Sequence, residues 1–399
     1  MKTKYILYFY AAVLFGYCGA EFFQNYYRAY FILTVICLAI FIAADYASCR
    51  LGHSIISIEK REHTQKRESG GDVARALAVI LVPTLHCFGL INYYDTQFSY
   101  NMLIPTMIRW IAVCAVPMFM IISGYFKVNS EFSAKHYKGL IPLLMTHFFI
   151  SAVRIFVDAH YFDAFVDAQY VIDRMVFFKY GWYIQLYIGM LILMPIFNIA
   201  YKKAESRRNK ELMILSIVGI TALGPLSNNI IPSTWVMFYV FGFYLIGCYL
   251  SEYKVKINPI INIAMVLLVV FVVSLSDCKH CLNTVFDWDF IGYSFNSGYS
   301  SMAAVIIAGL IMSLCFNIKI ELKPVCFLLK TVSVVSLEIY LFSQMYDGFI
   351  YKDINGVVDF WQVYPDMPKF VAMSFLLAYV TAWVKKLVFF VFKKLIFQK

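Results

Sequence analysis

The sequence predicts an all-α, polytopic integral membrane protein with about twelve transmembrane helices and both termini in the cytoplasm. The 399-residue chain is 61% hydrophobic and only 15% charged, with a mean hydropathy of +0.70. Its apolar runs repeatedly approach the ~20 residues that a helix needs to cross a bilayer. The basic residues lie mainly between those runs, as the positive-inside rule expects.

The apolar runs divide the chain into predicted helices and connections. The helices cover approximately residues 4–20, 27–47, 73–93, 104–126, 139–157, 182–200, 211–224, 235–250, 259–276, 300–316, 328–349 and 370–390. The first two helices form an accessory pair within 1–49, and a polar cytoplasmic linker follows at 50–71. The other ten helices form the main membrane domain at 72–399.

The distribution of Lys and Arg sets the orientation of the predicted helices. With a cytoplasmic N-terminus, 25 of the 34 Lys and Arg residues lie on the cytoplasmic side and six lie outside. The remaining three, Arg75, Arg109 and Arg154, lie within spans. Adding or removing one span would destroy this asymmetry.

The formal net charge of +10 would suit a nucleic-acid-binding protein, but the placement of the charge in loops between spans argues against that class. The ten cysteines are mostly scattered in apolar spans, as small packing residues are. Cys278 and Cys281 are the one close pair, and an outer-face disulfide between them is possible in an oxidising compartment. A metal site would need more ligands than this loop contains.

Arg75 and His86 are the only basic residues of the third predicted span, which contains no acidic residue. Eleven residues at about 100° each return a side chain to within about 20° of its starting direction, so the two share a face roughly 16 Å apart. Ionisable groups inside a membrane segment often mark a functional site. We expect His86 near mid-bilayer, where a neutral imidazole can accept a proton from a hydroxyl. Arg75 can hold a phosphate or a thioester carbonyl.

Both residues also have structural interpretations. His86 can be a packing histidine bonded to a neighbouring helix. Arg75 can be a snorkelling arginine at the cytoplasmic boundary.

Glu338 lies in the eleventh predicted span at a depth close to that of His86. Its carboxylate can orient the imidazole or bind a sugar hydroxyl, and the alternative is a structural ion pair with Arg109 or Arg154. Those two arginines lie in the outer halves of their spans and can also face an externally open cavity.

The inner end of the fourth span carries a proline and a glycine within residues 116–126, which permit a kink and close backbone approach. Lys127, Lys135 and Lys138 follow and can meet a nucleotide-like phosphate, although solvated positive-inside lysines are the simpler interpretation. The outer loops 158–181, 277–299 and 347–369 are rich in aromatic and acidic residues. Such loops suit carbohydrate binding as well as an ordinary membrane interface.

Four motifs in order resemble the acyltransferase family 3 membrane O-acyltransferases, over about residues 72–390. They are Arg75-x10-His86, Val116-Pro117-Met118-Phe119 with Ser123-Gly124-Tyr125-Phe126, Gly181-Trp182-Tyr183 with Leu191-Ile192-Leu193-Met194-Pro195, and Ser336-Leu337-Glu338-Ile339-Tyr340-Leu341. The chain departs from the family where Ser343 replaces a frequent histidine, and where Lys135 and Lys138 stand in for arginines.

The resemblance implies an enzyme of the inner (plasma) membrane that moves an acyl group, usually acetyl, from cytoplasmic acyl-CoA to a glycan hydroxyl. The acceptor would be a cell-surface or lipid-linked glycan, the other partner would be membrane lipid, and no permanently bound cofactor is implied. The implied catalytic residues are His86 and Arg75. The donor-binding residues would be Arg75, Ser123, Lys135 and Lys138, and the acceptor-binding or orienting residues would be Glu338, Tyr340, Trp182 and Arg154.

Two chemical routes remain open for this reaction: His86 as general base on the acceptor hydroxyl, or a covalent acyl-histidine relay. Two other classes of protein also remain. A transporter or flippase for a lipid-linked glycan needs a polar cavity too, although the sequence shows none of the internal repeats common in transporters. In a membrane scaffold, the embedded Arg, His and Glu would merely pair.

Overall fold

The computed structural model describes residues 8–16, 26–50, 56–61, 69–90, 102–222, 233–282, 298–352 and 364–397, and they are mostly helical. The elements are α1 (8–16), α2 (Tyr26–Arg50), β1 (Ile56–Lys60), α3 (Ser69–Leu90), α4 (Leu103–Val113), α5 (Ala115–Lys127), α6 (Ala134–Tyr137), α7 (Leu140–Tyr161), α8 (Ala168–Met175), α9 (Trp182–Lys203), α10 (Arg207–Ala222), a 3-10 helix (Ser233–Phe238), α11 (Tyr239–Glu252), β2 (Tyr253–Ile257), α12 (Pro259–Leu282), α13 (Met302–Cys315), α14 (Lys323–Val334), α15 (Ser336–Ile350) and α16 (Met367–Phe397). Every predicted helical range overlaps one or more of these helices.

Six helices of the described part of the chain are long and apolar enough to cross a membrane. They are Ser69–Leu90, Leu103–Lys127, Ala134–Tyr161, Trp182–Lys203, Thr234–Glu252 and Met367–Val391. A bent pair, Lys323–Val334 with Ser336–Ile350, would make a seventh span. The protein is therefore a multi-pass membrane protein, while the total of about twelve spans and the cytoplasmic termini stay predictions.

The predicted helix at 328–349 is broken, and this expectation is corrected. α14 and α15 meet at Val335 with a bend of 70°, and Val335 itself has φ −114° and ψ 19°, outside the helical region. The apolar run is long enough for one span, but its two halves do not share an axis.

The chain forms two compact units, and the predicted domain boundaries stay a prediction. The first comprises Met1–Ala74, Thr96–Val128 and Ala200–Glu321, and the second comprises Arg75–Asp95, Asn129–Ile199 and Leu322–Lys399. α3 contributes its beginning to the first unit and the remainder to the second.

Close packing of α5 against α11 dominates the first unit, and two glycines permit it. A Cβ atom on Gly124 would overlap the carbonyl oxygen of Tyr244, and one on Gly247 would overlap that of Ile121. The Cys248 thiol also donates to the Gly124 carbonyl over 3.6 Å. Small residues let helix backbones approach in this way inside membranes, so the expected close approach at Gly124 is confirmed.

A short sheet also belongs to the first unit, and it occupies part of the predicted linker at 50–71. β1 pairs antiparallel with β2 in the register Ile56↔Ile257. Lys256 Nζ lies 2.6 Å from Glu59 Oε2, and hydrogen bonding from Lys256 lowers the pKa of Glu59. The linker is therefore partly ordered by pairing with the strand that follows α11.

Candidate active site

His86 is paired with a carboxylate that the sequence analysis did not single out. Its Nδ1 atom lies 2.6 Å from Oδ2 of Asp347, both in the second unit. An ionised carboxylate only accepts hydrogen bonds, so this contact places a proton on Nδ1 and leaves Nε2 as the acceptor of a neutral imidazole. No described residue is hydrogen-bonded to Nε2, and 23% of the His86 side chain is exposed.

Asp347 is held from its other side as well. The Ser374 hydroxyl of α16 donates to Asp347 Oδ1 over 2.6 Å, and Asp347 is only 2% exposed. Both carboxylate oxygens are therefore bonded, which fixes the orientation of Asp347 and, through it, of His86. An imidazole oriented by a buried carboxylate is the arrangement of a general base.

Arg75 marks the other end of the same α3 face. Its Nη1 donates to Ser333 Oγ over 3.0 Å, beside the break between α14 and α15. Eleven residues later, His86 contacts Asp347 on the last turn of α15. Arg75 precedes His86 in the chain and Ser333 precedes Asp347, so α3 and α15 run parallel. The two contacts lie roughly 16 Å apart along α3.

The imidazole lies away from the middle of α3. His86 is only about 6 Å of helix from Leu90, and Asp347 is three residues from the end of α15. The Tyr351 hydroxyl, just beyond α15, donates to the Pro83 carbonyl over 3.2 Å. The imidazole thus lies toward the end of α3 opposite Arg75, and its mid-bilayer depth stays a prediction.

Glu338 does not orient His86, and this expectation is corrected. Its Oε1 accepts from Lys385 Nζ over 3.1 Å, and the same ammonium donates to Thr146 Oγ1 over 2.8 Å. The proposed alternatives, pairing with Arg109 or Arg154, are also wrong. Lys385, assigned to the cytoplasmic side by the Lys and Arg distribution, is instead a buried residue of α16.

Tyr340 and Trp182 lie in one aromatic group. The rings of Tyr340 and Tyr183 are 5.6 Å apart and edge-on, and Tyr183 in turn meets the Trp182 ring at 6.4 Å. Tyr340 precedes Asp347 by seven residues, which places both on one face of α15. The Tyr180 hydroxyl donates to the carbonyl of Leu341 and ties this face to the start of α9.

Arg154 is engaged by protein groups around α15. Its Nε lies 2.6 Å from Asp158 Oδ1, and its Nη1 donates to the carbonyls of Gln344 and Met345 at 3.4 Å. The Tyr170 hydroxyl of α8 donates to Asp158 Oδ2 over 2.6 Å. The guanidinium therefore connects α7 with the last turns of α15.

The remaining predicted donor-binding residues are Lys135, Lys138 and Ser123. Lys135 and Lys138 are exposed in and after α6. Ser123 belongs to the first unit, where its hydroxyl donates to the Phe119 carbonyl over 2.8 Å.

Two further buried residues are His147 and Cys278. His147 is buried and stacks on Phe178 at 4.1 Å, as a packing histidine does. Cys278 is a free, buried thiol, and the side chain of Cys281 lies outside the described residues. Among the described residues, no group of three or more His, Cys, Asp or Glu side chains is placed to hold a metal ion.

Sequence reasoning missed Asp347, Ser374, Ser333 and Lys385. Asp347 had a usable signal, because it follows Ser343, where the family often has a histidine, by one helical turn. It was placed in the outer loop 347–369 instead. The others lack a comparable signal, since serine is common in membrane helices and Lys385 resembles a lysine at the end of a span.

The sequence matches a known family. A family model described as an acyltransferase domain matches residues 69–385. The chain belongs to this family. The match begins at the first residue of α3 and ends at Lys385, so it contains the whole Arg75–His86–Asp347 arrangement and excludes α1, α2 and β1. No curated protein matches the chain, and no solved structure does. The protein is thus a membrane acyltransferase.

Proposed function

We propose that this acyltransferase moves an acyl group, most simply acetyl, from cytoplasmic acyl-CoA to a hydroxyl of a cell-surface or lipid-linked glycan. The observation that carries the proposal is the contact of His86 Nδ1 with the buried Asp347, which leaves Nε2 as the acceptor of a neutral ring. Family membership favours transfer chemistry over the transporter alternative, because a transporter moves its substrate unchanged.

In this mechanism, His86 Nε2 takes the proton of the acceptor hydroxyl as the oxygen attacks the thioester carbonyl. A carbon–oxygen bond forms, and the carbon–sulfur bond then breaks. The imidazolium returns its proton to the departing thiolate of CoA. Asp347 stabilises the imidazolium and holds the ring in place, as carboxylates do in comparable triads. An acyl-His86 relay would use the same pair with Nε2 as nucleophile.

The donor is assigned to the Arg75 end of α3, with Lys135 and Lys138 as candidate contacts for its phosphates. A guanidinium suits phosphate because it presents several donors in a fixed plane. The roughly 16 Å between Arg75 and His86 is of the order of an extended pantetheine arm. A donor held at Arg75 can therefore deliver its thioester near His86, at the opposite end of the helix pair.

The acceptor is assigned to the end of α15 that carries Asp347. Tyr340 and Trp182 are candidate stacking surfaces for a sugar, whereas Arg154 and Glu338 act through the protein groups to which they are bonded. Acidic and aromatic side chains continue along the 158–181 segment. There, hydrogen bonding from Lys179 lowers the pKa of Asp173, and Gln169 donates to its other carboxylate oxygen.

Acetyl transfer from labelled acetyl-CoA to the glycan fraction of membranes tests the proposal. We expect Asp347→Asn and His86→Ala to reduce turnover by about 10²–10⁴-fold, the usual contribution of general acid–base catalysis. The Asn amide keeps the shape of Asp but can donate to Nδ1, which favours the wrong tautomer.

His160→Ala is the matched control. His160 is exposed, and it contacts its own helix through the Phe156 carbonyl at 3.0 Å and the stacked Phe156 ring. It should therefore keep wild-type activity. Equal labelling by wild type and both site variants, at equal folded amounts, would remove the pair from the chemistry. Altered glycan export without any labelling would favour the transporter.

A further inference from the structure

α14 differs from the membrane-spanning helices of the second unit in its direction. It meets α15 at a bend of 70°, and α15 runs alongside the span α3 through the Arg75–Ser333 and His86–Asp347 contacts. With α15 along the membrane normal, this bend places α14 about 20° from the membrane plane, and transmembrane helices such as α15 tilt from the normal by about that much. α14 is therefore oriented to lie along a membrane surface.

The surface of α14 is apolar and open. Phe327 is 70% exposed, Leu328 is 57% exposed and Val334 is 43% exposed. The inner face is narrow, with Val332 and Ser333 as the fully buried residues of the helix. Exposed apolar area on this scale needs a covering, and for a helix in the membrane plane lipid provides it.

Two lysines share the exposed face. Lys323 and Lys330 are both exposed, and their spacing of seven residues puts them within about 20° of one another around the helix. Phe327 lies between them on the same face. Lysines bordering an apolar surface extend their ammonium groups into the headgroup layer while their stems stay in the apolar region. No carboxylate lies within α14.

α14 is tied to the helices that carry the proposed site. The Lys386 ammonium of α16 donates to the Val334 carbonyl over 2.9 Å, and the Tyr379 hydroxyl donates to Thr331 Oγ1 over 2.8 Å. Ser333 accepts from Arg75 over 3.0 Å. Whatever binds the outer face of α14 thus contacts an element that borders the Arg75 end of α3.

We propose that α14 is an in-plane membrane-surface helix that binds anionic phospholipid headgroups through Lys323 and Lys330. Phe327 and Leu328 enter the acyl-chain boundary beside those headgroups. The charge of the two lysines, uncompensated within the helix, selects anionic over zwitterionic lipid. The inference concerns a lipid-binding surface and does not depend on the acyltransferase mechanism.

Photo-crosslinking of the full-length protein tests this surface in bilayer nanodiscs of equimolar phosphatidylglycerol and phosphatidylcholine. The photoreactive residue p-benzoylphenylalanine replaces Phe327, and mass spectrometry identifies the adducts. We expect lipid adducts in which phosphatidylglycerol exceeds phosphatidylcholine about five-fold, which corresponds to about 1 kcal/mol for a lysine beside an anionic surface. Replacement of Leu376, an exposed residue of α16, should give lipid adducts near a one-to-one ratio.

Charge variants complete the test. In the Lys323→Gln, Lys330→Gln double variant, the ratio of phosphatidylglycerol to phosphatidylcholine adducts at position 327 should return to about one. Lipid adducts from the photoreactive residue at position 376 of the same double variant confirm that the protein is inserted in the bilayer. Lys369→Gln removes an equally exposed lysine from the other end of α16 and should leave the ratio unchanged. A one-to-one ratio at position 327 in the otherwise unaltered protein would overturn the proposal, and so would adducts to protein alone. A five-fold ratio that survives the double variant would also overturn it.

Discussion

Glu338 and Asp347 are both buried carboxylates of α15, but Glu338 is paired with a lysine, whereas Asp347 is bonded to an imidazole and a hydroxyl. Glu338 and Lys385 form an ion pair in which both side chains are largely shielded. Asp347 instead accepts from the His86 imidazole and the Ser374 hydroxyl. An ion pair of this kind keeps its charges in place, whereas a carboxylate beside imidazole can stabilise a proton that arrives on the ring. In the proposed mechanism, Glu338 therefore has a structural role and Asp347 has a chemical role.

The Glu338–Lys385 pair yields a prediction about stability. Glu338→Gln leaves a buried ammonium whose remaining described partner is Thr146, and we expect a loss of about 3–5 kcal/mol, as for other broken buried pairs. Glu338→Met with Lys385→Met removes both charges and should recover most of that loss. Thermal unfolding of the detergent-solubilised protein measures both effects.

Activity separates this structural role from acceptor binding by Glu338. The double Met variant should retain acetyl transfer, because neither charge takes part in the chemistry. A well-folded but inactive double variant would return Glu338 to the site.

Much of the site was foreseeable at the residue scale, and the failure at Glu338 has a physical cause. Arg75 and His86 follow from helical periodicity and the cost of burying ionisable groups in a membrane. The depth of a residue along a membrane span, however, does not determine which side of the helix its side chain faces. Glu338 matched the expected depth of His86 but points to α16, while Asp347, near the helix end, faces the imidazole.

At the scale of helices, the Ser123–Phe126 motif is explained by packing in the first unit. Gly124 allows α5 to meet α11, and the Tyr125 ring stacks on Phe316 at 3.9 Å. The family resemblance implies donor binding for Ser123, yet Gly124 packs against α11 and Tyr125 against the residue after α13. Gly124 and Tyr125 thus have structural reasons of their own to be present.

Glycine substitutions test this packing. Gly124→Ala and Gly247→Ala each place a Cβ against a carbonyl oxygen of the facing helix, and overpacking of this kind costs about 1–3 kcal/mol. We expect a lower melting temperature for both variants. Gly309→Ala is the matched control, because no atom lies within 4 Å of the Cβ that it would add to α13.

The control should be neutral or slightly stabilising, since alanine favours a helix over glycine. If all three variants had the same melting temperature as the wild type, the close approach of α5 and α11 would not limit stability.

The positions of the helices could be predicted because each corresponds to an apolar run in the sequence. The break at Val335 could not be predicted. The 328–349 run contains no proline or glycine before Gly348, so sequence gives no local reason for a bend. The contacts at the break come from distant parts of the chain, namely Arg75 to Ser333 and Lys386 to Val334. β1 was missed for a similar reason, because its partner strand lies about 200 residues away.

At the scale of the whole molecule, the distribution of Lys and Arg makes a prediction about sidedness. It places the Arg75 end of α3 in the cytoplasm, where acyl-CoA is available, and the 158–181 segment outside. Cysteine substitutions at two exposed positions test this: Lys330→Cys on α14 and Phe165→Cys between α7 and α8. We expect a membrane-impermeant maleimide to label Phe165→Cys in intact cells, and Lys330→Cys only after the membrane is permeabilised.

The wild-type protein, labelled in parallel, corrects for its own cysteines. The reverse pattern of labelling would invert the orientation and place the Arg75 end outside, away from the cytoplasmic donor. Labelling of both positions from one side would instead mean that the number of spans between them is even. The expected pattern has a direct consequence for the reaction: the donor would bind on one side of the membrane and its acyl group would leave from the other. In that case the roughly 16 Å between Arg75 and His86 is the path by which the acyl group crosses.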